Sequence, residues 1–157
     1  MRIELRRAWS RWPVWAIAAA LLLASPAMPQ ADVRLPGLDG GQLTGADLAR
    51  GPVVILVWAS WSPRCRDIVA RANAVAAKFG GEARIVTVNF QEDVSTIREF
   101  LAGQKLSVPV FLDRDGAFSK AHAVTALPGL IVFRDGQARY TGKLPADLDA
   151  TLRNLLD

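Results

Sequence analysis

Residues 53–58, Val-Val-Ile-Leu-Val-Trp, form an unbroken apolar and largely β-branched run. With no polar position in it, a strand built from this run has no face to offer water. Such a strand needs a layer of structure on each side, which points to the centre of a sheet flanked by helices. Gly51-Pro52 breaks the chain just before it.

The rest of the chain supplies those layers. Ile68, Ala72, Val75, Ala76 and Phe79 recur with helical spacing and predict one buried helix face, closed by Gly80-Gly81. Residues 84–90 (RIVTVNF) and 109–112 read as further strands. Between them, residues 94–102 read as a helix with Asp93 as its cap. Residues 113–116 form a turn, with Asp113 and Asp115 as turn formers, and 117–123 a short helix. Asp135-Gly136 between residues 130–133 and 138–141 is a two-residue hairpin signal. Pro145 is expected at the first position of a last helix, with Leu148, Leu152 and Leu155 or Leu156 facing inward. Ahead of the central run, residues 33–43 carry a Gly-Gly turn and predict a short hairpin. Thr44 with Asp47 resembles a capping box with Asp in place of Glu, opening a helix to Arg50. The fold class is therefore α/β: a central mixed sheet, parallel except for an antiparallel C-terminal hairpin, flanked by helices, with an N-terminal hairpin extension.

The first 31 residues read differently. Arg2, Arg6, Arg7 and Arg11 precede an apolar run from 14 to 24, followed by the small-residue stretches Ser25-Pro26-Ala27 and Pro29-Gln30-Ala31. This is the plan of a signal peptide. An uncleaved membrane anchor is the alternative, since a span needs about 20 apolar residues and the run from 12 to 28 nearly reaches that length. Either reading places residues 32–157 outside the cytoplasm, in the periplasm or its equivalent. The formal charge of +4 belongs mostly to this leader, which carries four arginines against Glu4. The near-neutral remainder gives no reason to expect nucleic acid as a partner.

Cys65 is the single cysteine of the chain, so no internal disulfide can form. It closes the stretch Trp58-Ala59-Ser60-Trp61-Ser62-Pro63-Arg64-Cys65. Ser62-Pro63 suits an N-cap followed by proline at the first helical position, with the Ser62 oxygen accepting from the N–H of Arg64 or Cys65. Cys65 would then lie in the first helical turn, where the helix dipole, Arg64 and Arg66 favour a thiolate and burial opposes it. Trp58, ending a buried strand, reads as core. Arg64, Arg66 and Arg71 read as the solvated side of the helix. His122, the lone histidine, has no companion at ligand spacing, so neither a metal nor a cofactor is expected.

This element order, with "GPVVILVWASW", "LDRDGAFSKAHAVTALPGLIVF" and the leader, resembles the thioredoxin superfamily and its TlpA-like branch of exported thiol-disulfide oxidoreductases. The resemblance covers residues 33–157. It implies a thioredoxin-like fold in which the exposed attacking cysteine has become Ser62 and the shielded resolving cysteine is Cys65. It also implies that Leu127-Pro128 is cis, and that the backbone before Pro128 pairs with extended peptide segments of other exported proteins. Trp61 and Pro63 then stand at the rim of the same groove. An acid or amide common in the family's central strand is replaced by Leu56.

Disulfide exchange needs one thiolate to attack and a second thiol to release the mixed disulfide. With Ser-x-x-Cys, that cycle is excluded within one chain. Two function classes remain. One is a protein-binding module of envelope thiol/disulfide homeostasis, expected to be monomeric. The other is a monothiol enzyme, peroxidase-like enzyme or redox sensor using Cys65, with Ser62 as its hydroxyl neighbour.

Overall fold

A computed structural model describes residues 33–157. The leader, with its signal-peptide or anchor reading, lies outside the described residues. The elements run β1 (Arg34–Pro36), β2 (Gln42–Thr44), α1 (Gly45–Leu48), β3 (Val53–Trp58), α2 (Ile68–Phe79), β4 (Arg84–Phe90), α3 (Val94–Leu101), β5 (Val110–Asp113), α4 (Ala117–Ala121), β6 (Gly129–Arg134), β7 (Gln137–Lys143) and α5 (Leu148–Leu156). The main sheet has the order β5-β4-β3-β6-β7. β3 is parallel to β4 and antiparallel to β6, which places the apolar run at the centre of the mixed sheet.

Every residue of β3 is buried. Its alternate side chains enter two separate cores, as a two-sided strand requires. Val54, Leu56 and Trp58 pack with α2, α3 and α5 through Ile68, Ala72, Val75, Ile97 and Leu152. Val53, Ile55 and Val57 pack with the N-terminal hairpin, α1 and α4 through Leu35, Leu43, Leu48 and Phe118. The hairpin also covers the edge of β5. Leu38 N–H donates to the Val110 carbonyl at 2.8 Å, and Gly37 bridges to Phe111. That pairing removes one open sheet edge.

Several turns follow from local chemistry. Asp135 and Gly136 both have positive φ, 54° and 75°, the requirement of the tight turn joining β6 to β7. Asp93 caps α3 by accepting from Thr96 N–H at 2.8 Å. The last helix departs from expectation. It begins at Leu148, and Asp147 rather than Pro145 defines its start, accepting from Ala150 N–H at 2.9 Å. A side-chain acceptor satisfies an otherwise orphaned donor, which a proline at the first position cannot do. Leu152 and Leu156 are buried as the spacing predicts.

Thr44 and Asp47 form the capping box. Thr44 N–H donates to Asp47 Oδ2 at 2.9 Å, and Asp47 N–H donates to Thr44 Oγ1 at 3.3 Å. α1 ends at Leu48, short of Arg50, because Gly51 follows with φ 102°. The Thr44 side-chain and backbone hydrogen bonds hold the Asp47 carboxyl below its ordinary value of 3.8, with smaller help from Arg84 and Arg50. A carboxylate of lowered pKa adds stability that is complete above the ordinary value and is lost as pH falls through the folded value. Thr44→Ala should therefore cost about 1 kcal/mol in urea unfolding at neutral pH. The stability gap between wild type and Asp47→Asn should stay constant above the ordinary value of 3.8 and narrow as the pH is lowered below it.

Candidate functional site

The carboxyl end of β3 delivers Ala59–Ser62 to a rim beside the loop that precedes β6. Ser62 N–H donates to the Ala59 carbonyl at 3.2 Å and closes this turn. Pro63–Cys65 then form a single 3₁₀ turn, and α2 starts only at Ile68. The expected continuous helix from Ser62 is therefore interrupted. Cys65 lies in the 3₁₀ turn, and the aligned peptides of α2 begin after it.

Ser62 occupies the cap position of that turn, yet its side chain caps nothing. Its own carbonyl accepts from Cys65 N–H at 2.9 Å, so this donor needs no side-chain oxygen. The hydroxyl turns instead toward the opposite loop and donates to the Leu127 carbonyl at 3.5 Å, a long bond. Ser62 is 6 % exposed and sits on the inner surface of the groove. Cys65 is 0 % exposed and packs in the core with Leu56, Trp58 and Ile68.

The groove has a volume of about 550 Å³. One wall is Trp61, Ser62, Pro63 and Arg64; the other is residues 124–127, and Phe90 completes the lining. Trp61 is 63 % exposed, the one large apolar side chain left open among the described residues. Leu127-Pro128 is cis. Pro128 is buried and is not part of the groove lining, whereas Leu127 is. The backbone N–H and C=O groups of Thr125 and Ala126 make no hydrogen bond within the described residues. Gly129 lets this loop lie close: a Cβ there would stand 2.6 Å from Val124 Cγ1 and 3.2 Å from the Ala126 carbonyl oxygen.

Of the residues singled out from sequence, Trp61, Ser62, Pro63 and Leu127 thus meet in one groove, while Cys65 and Pro128 are buried and outside its lining. Trp58 is core and packs against Phe100 at 5.1 Å between ring centroids. His122 is held between Phe118 and Phe133 with Nδ1 2.9 Å from the Phe118 carbonyl oxygen. Asp113 does more than form a turn. It is buried, and its two carboxylate oxygens accept from the N–H groups of Phe118 and Ser119, fixing the start of α4.

One network near the site was not anticipated from sequence. Glu92 Oε2 accepts from Ser60 N–H at 2.7 Å and from Asn89 Nδ2 at 2.7 Å, and Glu92 Oε1 accepts from the Ser60 hydroxyl. This carboxylate ties the loop after β3 to the loop after β4 and so fixes the residue next to Trp61. The legible signal was Asn89, an amide at the end of an apolar strand, whose Cα pairs with that of Trp58.

Residues 27–141 match the AhpC/TSA family. The chain belongs to this family. Its relatives and structural neighbours include thiol-disulfide oxidoreductases on the thioredoxin-like fold. The chain is 23 % identical over 127 residues to the sporulation thiol-disulfide oxidoreductase A of Bacillus subtilis, covering 73 % of this chain and 77 % of that one. Among solved structures, a Chlorobium tepidum protein described as a thiol:disulfide interchange protein DsbE is 27 % identical with a TM-score of 0.69, covering 81 % of this chain and 92 % of that one. A secreted Mycobacterium tuberculosis disulfide oxidoreductase shares the fold at 24 % identity and a TM-score of 0.63, covering 76 % and 89 % of the two chains.

The Glu92 network gives a direct test of how the family's groove is braced here. Glu92→Ala removes the acceptor of the Ser60 N–H and of the buried Asn89 amide. It should lower stability by about 1–3 kcal/mol in urea unfolding, against less than about 0.5 kcal/mol for Glu82→Ala at an exposed position.

Proposed function

We propose that this chain is an exported, TlpA-like member of its family that has given up dithiol exchange and acts by binding other envelope proteins. The observation that carries the reading is the pairing of a hydroxyl at the groove surface, Ser62, with a fully buried sole thiol, Cys65. An alkyl hydroxyl is no nucleophile toward a disulfide at neutral pH. A thiol with no exposed surface cannot attack one either. What remains is a groove with an exposed Trp61, apolar lining residues, and backbone groups at Thr125 and Ala126 that are unpaired among the described residues. Those groups suit an extended peptide that adds to them as a strand does to a sheet edge. No sulfur is needed for that pairing. Export is supported by the basic and apolar leader and by the secreted relative. In this reading residues 1–31 form the leader and residues 32–157 the working domain.

The monothiol and peroxide-reducing alternatives use the same Cys65 and Ser62. Both need a sulfur that a small oxidant or a disulfide can reach, and the burial of Cys65 weighs against both.

Two measurements test the proposal. The protein should show no sustained turnover of insulin disulfides with dithiothreitol as donor; turnover above the uncatalysed rate defeats it. Cys65→Ala should keep binding to partner peptides within about twofold, since the side chain lies outside the groove and its loss acts only on the core. A loss of all binding in a folded Cys65→Ala protein would return the function to the thiol.

A further inference from the structure

The groove carries a charge preference that a generic peptide site lacks. Arg64 is its one charged lining residue. Arg64 is exposed and belongs to none of the salt bridges among the described residues. The acids on the segments flanking the groove are already engaged. Asp67 pairs with Arg71 at 2.7 Å. Glu92 accepts three hydrogen bonds from Ser60 and Asn89. The site therefore presents a guanidinium without an ion-pair partner among the described residues, beside an exposed indole and an apolar wall.

A guanidinium offers five donors in a planar fork that matches a carboxylate. The rest of the lining offers the acid no competing cation. Apolar contacts come from Trp61, Phe90 and Val124. We infer that the preferred occupant is an extended, cysteine-independent segment of another protein with an acidic side chain against Arg64 and apolar side chains against Trp61 and Val124. This rests on the groove-binding reading above and adds to it the chemistry of the partner. Arg64 sets specificity and on-rate, while the backbone of Thr125 and Ala126 supplies sequence-independent pairing.

The test uses the full chain and fluorescein-labelled octapeptides free of cysteine. All share an alternating valine–threonine frame, with Glu, Gln or Lys at one central position. Fluorescence anisotropy at low salt should rank them Glu, Gln, Lys, with Glu about fivefold tighter than Gln, the scale of one exposed charge pair. The advantage should fade as ionic strength rises and the Debye length shortens. Arg64→Glu, checked for an unchanged melting curve, should reverse the order, and Arg66→Glu, outside the groove lining, should preserve it. Equal affinity for all three peptides leaves the groove reading standing and overturns the charge preference. An order that survives Arg64→Glu overturns it as well, because selection then lies elsewhere. Binding of no peptide overturns both this inference and the groove reading on which it rests.

Discussion

The burial of β3 on both faces is the constraint from which the architecture follows. Six consecutive apolar side chains, all withdrawn from water, oblige the chain to build one core against α2, α3 and α5 and another against the N-terminal hairpin, α1 and α4. Hydrophobic burial on this scale is non-directional, so it fixes the layers rather than their chemistry. The chemistry is left to where β3 ends. Its last residue, Trp58, is sealed in the core, and the chain must turn outward at once through Ala59–Ser62. That abrupt exit sets Trp61 in solvent, Ser62 on the groove surface and Cys65 back inside within a few residues.

The division of those three residues decides what the protein can do. The resemblance to thioredoxin-like oxidoreductases implies an outer attacking position and an inner resolving one. Here the outer position holds a hydroxyl that reaches toward the Leu127 carbonyl, and the inner one holds a thiol wrapped by Leu56, Trp58 and Ile68. Leu56 in the central strand adds to the apolar surroundings of the sulfur. The two features are consistent with each other. A core cysteine behaves as a small hydrophobe, and an apolar neighbour suits it better than a polar one. The groove's braces, Gly129 and the Glu92 network, involve no sulfur.

Much of this was legible from sequence because it rests on local rules. The two-sided strand, the Thr44–Asp47 box, the Asp93 cap and the Asp135-Gly136 turn each follow from a few adjacent residues, and each is present. What was not legible involves partners distant in the chain. Ser62 looked like a helix cap because serine before proline is one by local preference. The 3₁₀ turn satisfied Cys65 N–H through the Ser62 carbonyl, and that freed the hydroxyl for a residue 65 positions away. Pro145 failed as a helix start because Asp147 offered a better acceptor two residues on. Ser60 and Glu92 lie 32 positions apart, and no periodicity links them; only the parallel pairing of β3 with β4 does.

The inaccessibility of one sulfur separates a binding module from a thiol enzyme. The decisive measurement is iodoacetamide labelling of Cys65, read by intact mass, in native buffer and again in denaturant. The account predicts no adduct on the folded protein over times in which free cysteine reacts fully, and a single adduct once the chain is unfolded. Rapid stoichiometric labelling of the folded protein would contradict it. It would place a reactive thiol at the surface and make this a monothiol enzyme or sensor.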